Sequence, residues 1–442
     1  MPDQRLHTLR GVKALIHDVF RLTVDLVEEG HDSTGRQARR ILDQVEPIAG
    51  PAQTVDGLRQ QITRGTLDAI RGVHRVVEVI TDAALDISAA ALPAAGAATP
   101  IPMRSEEHAT LPLAGDAALG LLNAAVGDRL HARRSPLAIE MSLRHGDRYL
   151  PVEPDAIGAA IPDATARLAI FVHGLGTTEW SWCLGAADYH GDPSVNFGTL
   201  LRRDLGYTAI FVRYNGGRHV SDNGRELAAR IEALAAAWPV PLDEIVLVGH
   251  SMGGLVSRSA CEHARLDSHR WLRALRRVFS LGTPHHGADL ERLGNLLGAL
   301  LLAVDTPGTR IPGRLLNGRS AGIKDLRFGN LVDEDWLGRD PDAVAEDNRR
   351  LVPLLDGVDY HFLSATVTKD PAHPLGRLVG DLLVREGSAS GEPAGALREI
   401  QFPIRTHCFG GLMHHVLQSH PDVYERIRAA CAGEDPPPDQ NA

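Results

Sequence analysis

Ser251 has the sequence setting that is typical of a catalytic nucleophile. It stands in Gly249-His-Ser-Met-Gly253, directly after the apolar run Ile245–Val248 and before a segment with helical spacing. A sharp strand-to-helix turn of this kind holds a serine in a strained backbone conformation and presents its hydroxyl at the end of a sheet. The pattern therefore predicts that Ser251 attacks a carbonyl carbon and forms an acyl-enzyme intermediate.

A second apolar run, Leu168–Val172, ends in His173-Gly-Leu-Gly176. Attack on a carbonyl produces a negatively charged oxygen, which preorganised backbone N–H groups stabilise by about 3 kcal/mol per donor. We expect the amide of Met252, directly after the nucleophile, to be one donor and the amide of Leu175 to be the other. The alternative for this segment is a tight turn beside a buried His173.

Apolar runs that alternate with helical segments after about residue 136 predict the elements that hold these residues. Continuous apolar runs fit strands that are buried on both faces, as in a parallel sheet covered by helices. The predicted strands are 168–172, 208–214, 244–249, 278–281, 360–365 and 400–404, after a hairpin over 137–152. The predicted fold class is therefore α/β, with both loops at the same edge of the sheet.

The composition argues against several other classes of protein. The 442 residues are 43% hydrophobic and carry 46 Lys and Arg against 56 Asp and Glu, a net charge of −10. Nonspecific nucleic-acid binding requires a basic surface, which a net acidic chain does not favour. The cysteines form no Cys-x-x-Cys pair and the acidic residues show no calcium-ligand spacing, so we expect no metal and no cofactor. No secretory signal or membrane-spanning stretch is seen, which favours a cytoplasmic location.

Three motifs together resemble the α/β-hydrolase superfamily: Gly249-His-Ser-Met-Gly-Gly254, Phe171-Val-His-Gly-Leu-Gly176 and Ser280-Leu-Gly-Thr-Pro-His-His-Gly-Ala288. Within it, the chain is similar to the lipase and esterase branch, which includes bacterial triacylglycerol lipases and eukaryotic inositol-deacylase-like serine esterases. The resemblance covers about residues 168–428 and implies a mostly parallel sheet with helices on both faces and an inserted cap. It also implies the chain order nucleophile, acid, histidine.

The resemblance also nominates the acid of a Ser-His-Asp triad. Gly380-Asp-Leu-Leu-Val384, followed by Ser388-Ala389, is similar to the family segment that carries the acid. This similarity points to Asp381. Asp370, which is nearer to the end of the preceding predicted strand, is the alternative.

The catalytic histidine follows from the same resemblance. Family members place it nine residues before a Val-Tyr pair that opens the last helix, and counting back from Val423 gives His414. His415 is the alternative, after a shift of a single residue in the loop. The pair His285-His286 precedes the acid, and we expect it to shape the site rather than to supply the base.

We expect the chain to contain three regions. They are a helical N-terminal region at 1–135, an α/β-hydrolase domain at 136–432 with a cap inserted at about 287–353, and a disordered tail at 433–442. The cap carries an apolar stripe over Leu293–Leu302, which lines an acyl pocket, faces a lipid surface or packs on the core. The N-terminal helices pack on the core, dimerise or make peripheral contact with a membrane, and the sequence does not indicate an oligomeric state.

The motifs and the resemblance predict a serine hydrolase that cleaves carboxylic esters, either acyl lipids or other hydrophobic esters, and so a function in lipid metabolism. A thioesterase or an amidase on the same triad is an alternative, because a triad does not select the leaving group. A non-catalytic α/β-hydrolase scaffold that recruits a partner through the N-terminal helices is a further alternative. Such a scaffold has no need of an exposed, strained serine, which argues against it.

Overall fold

The computed structural model describes residues 111–287, 319–369 and 404–434, apart from residues 136, 147, 152, 153, 341–346, 348 and 367. From Leu119 onward the described residues belong to one compact unit, and of a second unit only residues 111–118 are described. The predicted helices before residue 111, the apolar stripe Leu293–Leu302 and the tail beyond residue 434 lie outside the described residues.

A mostly parallel sheet forms the centre of the described part. Its strands are β1 (Ser142–His145), β2 (Arg148–Tyr149), β3 (Arg167–Val172), β4 (Thr208–Arg213), β5 (Glu244–His250), β6 (Leu275–Leu281), β7 (Asp359–Thr366) and β8 (Ile404–Gly410). They lie in the order β2-β1-β4-β3-β5-β6-β7-β8. Strands β3 to β8 pair in parallel, and β1 is antiparallel to both β2 and β4. The predicted α/β fold class is confirmed.

Helices lie on both faces of this sheet. The described helices are α1 (Leu111–Ala132), α2 (Pro154–Ala160), α3 (Ala186–His190), α4 (Phe197–Leu205), α5 (Val220–Ala236), α6 (Met252–Leu266), α7 (Ala321–Asp325) and α8 (Pro421–Ala432). Successive side chains of a strand point to opposite faces. Ile170 of β3 therefore shares one buried cluster with Leu227 of α5, whereas its neighbour Phe171 shares the other with Ile427 of α8.

The inner strands have the burial that their apolar runs predict. Every residue of β4 is buried, and in β3 and β5 every residue after the first is buried. Removing a Val, Leu or Ile side chain from water stabilises the fold by roughly 1.5–3 kcal/mol. These strands therefore form the rigid support from which the loops of the site extend.

The last strand differs from the sequence prediction of 400–404. Residues 400–403 lie outside the described residues, and the described strand β8 runs from Ile404 to Gly410. Its residues are only partly buried except for Phe409, and they include Arg405 and His407. An outer strand of this kind has no continuous apolar run, so its position was not visible in the hydrophobic pattern.

The carboxyl ends of the central strands lie at one edge of the sheet. Val172 at the end of β3 pairs with Gly249 of β5, and His250 at the end of β5 pairs with Leu281 at the end of β6. The loops that follow these three strands therefore begin side by side. This edge holds both sequence motifs that we connected with acyl transfer.

Helix α1, where the sequence predicts a helix over about 117–130, is the longest described helix, with 22 residues. The backbone of Val126 leaves the helical region, with φ −142° and ψ 16°, so the helix is kinked there. Of the described helices, none combines the length and the apolar character needed to cross a membrane.

Candidate active site

Ser251 forms the turn between β5 and α6. Its backbone has φ 54° and ψ −124°, a positive φ that non-glycine residues rarely adopt. The Ser251 N–H donates to the Leu281 carbonyl at 2.8 Å, and the Ser251 carbonyl accepts from the Gly254 N–H at 3.1 Å. These bonds on both sides hold the strained conformation, as in a nucleophile elbow.

The glycines of the Gly-x-Ser-x-Gly pattern allow the close backbone approach that this turn requires. A Cβ placed on Gly249 would lie 2.5 Å from the Gly254 nitrogen. A Cβ placed on Gly253 would lie 2.2 Å from the Val172 carbonyl oxygen. Both distances are too short for any side chain, so the elbow brings β3, β5 and α6 together only with glycine at these positions.

The loop after β3 lies against the elbow. A Cβ placed on Gly174 would lie 3.1 Å from the Ser251 Cβ, and Leu175 follows Gly174 directly. Met252 is the first residue of α6, whose first N–H groups have no partner within the helix and form the positive end of its dipole. Among the described residues, no hydrogen-bond acceptor faces the amide N–H of Leu175 or Met252. Their assignment as oxyanion donors stays a prediction.

His173 is buried and supports the start of this loop. Its ring stacks on Tyr214 with 4.3 Å between the ring centroids, and the Tyr214 N–H donates to its Nε2 at 3.3 Å. The Tyr214 hydroxyl donates to the His173 carbonyl at 2.8 Å, and burial raises the pKa of this hydroxyl far above its usual value. The buried-histidine alternative and the oxyanion-loop hypothesis are thus compatible, because His173 anchors the strand end from which the loop begins.

His414 lies at the same sheet edge as Ser251. It is 6% exposed, and a Cβ placed on Gly282 would lie 3.0 Å from both Cε1 and Nδ1 of its imidazole. Gly282 directly follows Leu281, whose carbonyl accepts the hydrogen bond from the Ser251 N–H. The ring of His250, next to the serine, has its centroid 4.9 Å from that of His414, and its Nε2 donates to the His414 carbonyl at 3.0 Å.

The structure separates His414 from the alternative base, and it does not describe either candidate acid. His415, the alternative base, is exposed, whereas His414 is buried beside the elbow. Asp381 and Asp370, the two candidate acids, lie outside the described residues. The structure therefore brings Ser251, Met252, Leu175 and His414 to one place, and the roles of the base and of the acid remain predictions.

His285, the first histidine of the Gly-Thr-Pro-His-His-Gly segment, is held by several groups. Its ring stacks on Phe362 with 3.8 Å between the centroids, and Arg258 Nη1 donates to its Nδ1 at 3.2 Å. Arg349 Nη1 donates to its carbonyl at 2.8 Å. Burial and then the charge of Arg258 lower the pKa of His285 well below its usual value, so the ring is neutral. These contacts support the structural role that we expect for this segment.

A buried carboxylate follows the loop after β3 and was not singled out in the sequence. Glu179 is fully buried; the Tyr149 hydroxyl donates to it at 2.6 Å, and Arg213 Nη1 lies 3.1 Å from its Oε2. Arg144 Nε lies 3.8 Å from Oε1, and its guanidinium stacks on the ring of Trp180. These partners come from three strands, so no local sequence pattern indicates the cluster. It fixes the far end of the loop that contains Leu175.

Replacing Glu179 with Ala is expected to lower the free energy of unfolding by about 3 kcal/mol, because two buried guanidinium groups lose their carboxylate. Glu425→Ala is the matched control: Glu425 pairs with Arg428 at an exposed position and is expected to contribute no more than about 1 kcal/mol. Urea unfolding followed by tryptophan fluorescence measures both changes. Equal midpoints for the two variants would contradict the stabilising function of the buried cluster.

The described part of the predicted cap is attached to the sheet domain through a buried aspartate. Asp325 Oδ2 accepts from the Val220 N–H at 2.8 Å and lies 3.0 Å from Nδ1 of His219, whose ring stacks on Trp336. Burial lowers the pKa of His219 but the hydrogen bond and charge of Asp325 raise it, with a net upward shift.

In the described ranges, no group of three or more His, Cys, Asp or Glu side chains is arranged to hold a metal ion.

Residues 200–299 match the model of a family described as the PGAP1-like α/β domain. The matched segment contains both the turn around Ser251 and the Ser280–Ala288 motif. The match covers 100 of the 442 residues, and over that segment it agrees with the α/β-hydrolase resemblance. No curated protein matches the chain.

Several solved structures are similar to this chain at low sequence identity. The mature lipase BlEst2 of Bacillus licheniformis has 21% identity and a TM-score of 0.38, over 65% of this chain and 97% of that one. The phospholipase PlaB of Legionella pneumophila has 17% identity and a TM-score of 0.36, over 61% and 57% of the two chains. An esterase from the archaeon Pyrobaculum calidifontis has 13% identity and a TM-score of 0.33, over 61% and 77%.

Proposed function

We propose that the protein is a serine hydrolase that cleaves carboxylic esters through Ser251. The observation that carries this proposal is the positive φ of Ser251, 54°. The turn at Ser251 lies against the loop that contains Leu175, whose amide N–H has no acceptor among the described residues. Backbone strain of this kind costs about 1–3 kcal/mol and is retained where the surrounding structure uses it. We infer that this strain presents the Ser251 hydroxyl to the substrate carbonyl beside the two N–H donors.

In the proposed first step, the Ser251 hydroxyl oxygen bonds to the ester carbonyl carbon while the His414 imidazole takes the hydroxyl proton. The carbonyl oxygen becomes an oxyanion, which the amides of Leu175 and Met252 bind. The bond to the alcohol then breaks, and the imidazolium gives its proton to the departing alkoxide. Asp381, or Asp370 in its place, orients the imidazole and stabilises its charged form.

The second step releases the acid. Water attacks the acyl-enzyme carbonyl while His414 takes a proton from it, and the same two amides bind the second oxyanion. The bond between the acyl carbon and the Ser251 oxygen breaks, and that oxygen recovers the proton from the imidazolium. The cycle consumes an ester and water, yields an acid and an alcohol, and balances with no additional reagent.

The surroundings of these residues favour an ester with an apolar acyl group, such as an acyl lipid. Met413, 51% exposed, directly precedes His414, and the half-buried Leu175 lies in the loop next to Ser251. Apolar side chains that flank a reactive group favour substrates which remove that surface from water. Thioesters and amides remain alternatives because the triad itself does not select the leaving group.

A non-catalytic scaffold is the competing hypothesis of a different class. A scaffold function does not explain the backbone strain at Ser251. It also does not explain why the amides of Leu175 and Met252 have no acceptor among the described residues. We therefore assign the activity to residues 136–432, the predicted hydrolase domain with its cap.

The test is to incubate the full chain with p-nitrophenyl esters of increasing acyl length, and separately with a fluorophosphonate that reacts with activated serines. We expect turnover that rises with acyl length and a phosphonate adduct that peptide mass spectrometry locates on Ser251. Parallel p-nitrophenyl thioester and anilide substrates distinguish the leaving groups. No turnover of any substrate together with an unlabelled Ser251 would favour the scaffold.

A further inference from the structure

The second half of helix α1, Leu119–Ala132, lies directly on the loop that contains Leu175. Gly120 is buried, and a Cβ placed on it would lie 3.1 Å from the Gly176 carbonyl oxygen and from the carbonyl group of Thr177. In the opposite direction, a Cβ placed on Gly176 would lie 3.3 Å from the Leu121 Cδ2. At Gly120, the helix therefore contacts the backbone of the loop directly, next to the proposed oxyanion donor Leu175.

The same helix is fixed to the neighbouring loop after β4. Asn215 Nδ2 donates to the Gly127 carbonyl at 2.9 Å, and the Asn215 Oδ1 accepts from the Gly217 N–H at 3.0 Å. A Cβ placed on Gly217 would lie 2.1 Å from the Asn123 carbonyl oxygen, so the contact is again backbone to backbone. Because Asn215 is buried, these bonds are protected from competition by water.

Hydrogen bonds from the described part of the cap also hold the helix. The Ser320 hydroxyl donates to the Ala124 carbonyl, and the Ala321 N–H donates to the Asp128 carboxylate at 3.1 Å. The helix is thus restrained by two loops and by the cap. These contacts together, and not one flexible contact, determine how far the helix lies from the loop at Gly176.

Both sets of contacts meet at Leu175. The loop after β4 approaches its side chain, since a Cβ on Gly216 would lie 3.3 Å from the Leu175 Cδ1. The helix approaches the next peptide, at Gly176. Oxyanion stabilisation requires N–H donors that are held within a few tenths of an ångström of their working position. A surface loop reaches this precision only when neighbouring elements restrain it.

We propose that the second half of helix α1, outside the predicted hydrolase domain, positions the oxyanion loop, and that Gly120 is a positioning residue for the Leu175 amide. The inference rests on the proposed esterase function and adds to it a requirement for an element that the three catalytic motifs do not contain. Gly120 acts through the backbone of Gly176 and Thr177, and it does not touch the substrate.

The test is Gly120→Ala in the full chain. The added methyl group would sit 3.1 Å from the loop backbone, so the loop or the helix must shift by a few tenths of an ångström. We expect kcat for p-nitrophenyl esters to fall by at least about 10-fold while KM stays within about twofold, because the donor acts mainly in the transition state. The melting temperature should change little, because the better helix propensity of alanine opposes the cost of this shift.

Gly158→Ala in α2 is the matched control, because its added Cβ would make only an ordinary contact, 3.7 Å from the Pro239 Cβ. We expect this variant to keep the wild-type kcat. A purely structural function of Gly120 would change the melting temperature and leave kcat unchanged. A kcat within about twofold of wild type in Gly120→Ala would overturn the inference.

Hydrogen–deuterium exchange supplies a readout that does not depend on activity. We expect faster exchange in the peptide that covers residues 173–178 in Gly120→Ala and not in Gly158→Ala. If the wild-type chain hydrolyses no ester, the proposed function fails and the exchange experiment alone decides whether α1 positions this loop. Unchanged exchange in both variants would overturn the positioning function in that case.

Discussion

Replacing Ser251 with Ala is expected to reduce kcat for ester hydrolysis by at least about 10³-fold, because no other group in the mechanism forms the acyl-enzyme. The Ser251 side chain makes no capping hydrogen bond to α6, so among the described residues the variant loses no capping interaction. Alanine retains the same backbone strain at this position. The melting temperature should therefore stay close to that of the wild type, which separates lost chemistry from lost folding.

Ser257→Ala is the control for this prediction. Ser257 lies on the same helix, is buried, and donates its hydroxyl proton to the Gly253 carbonyl at 2.8 Å. Its removal is expected to cost about 1 kcal/mol of stability while kcat changes only a few-fold. Steady-state rates on p-nitrophenyl esters, with melting curves, measure both variants. Equal rates for wild type and Ser251→Ala would remove Ser251 from the mechanism.

The second large effect is expected at the base: His414→Ala should also reduce kcat by at least about 10³-fold. Without the imidazole, the Ser251 hydroxyl has no proton acceptor, and the alkoxide leaves without a proton donor. Free imidazole added to the medium should restore part of the activity, because the substitution leaves space next to Gly282. A merely structural histidine would not show this rescue.

His415→Ala provides the comparison within the same loop. His415 is exposed, and we expect its variant to keep kcat within a few-fold of wild type and to show no response to imidazole. Both variants are compared at one pH and at saturating substrate. If His415→Ala alone is inactive, the base is one residue further along the chain than we predict.

The fold was predictable where burial is complete and was not where burial is partial. The apolar runs of β3, β4 and β5 lie on strands that are buried on both faces, so the pattern identifies them directly. Strand β8 contains Arg405 and His407, and all of its residues except Phe409 are only partly buried. Polar and apolar residues are both tolerated at such positions. A hydrophobic pattern alone contains no signal for such a strand.

The candidate site divides in the same way. The elbow at Ser251 is local, because a few residues determine its turn, and the sequence pattern was sufficient to find it. The buried Glu179 cluster and the contact of Gly120 with Gly176 join segments that are distant along the chain. Sequence spacing does not encode such contacts. Asp381, His414 and the two amides were assigned by resemblance or chemistry, and these roles stay predictions.

The two outermost strands of the described sheet also affect how the molecule behaves at high concentration. An unpaired strand at a sheet border can template pairing with another molecule, and short length, charge and imperfect burial all oppose this. β2 has only two residues, and in β8 every residue except Phe409 is only partly buried. Among the described residues, intermolecular extension of the sheet is therefore disfavoured at both borders.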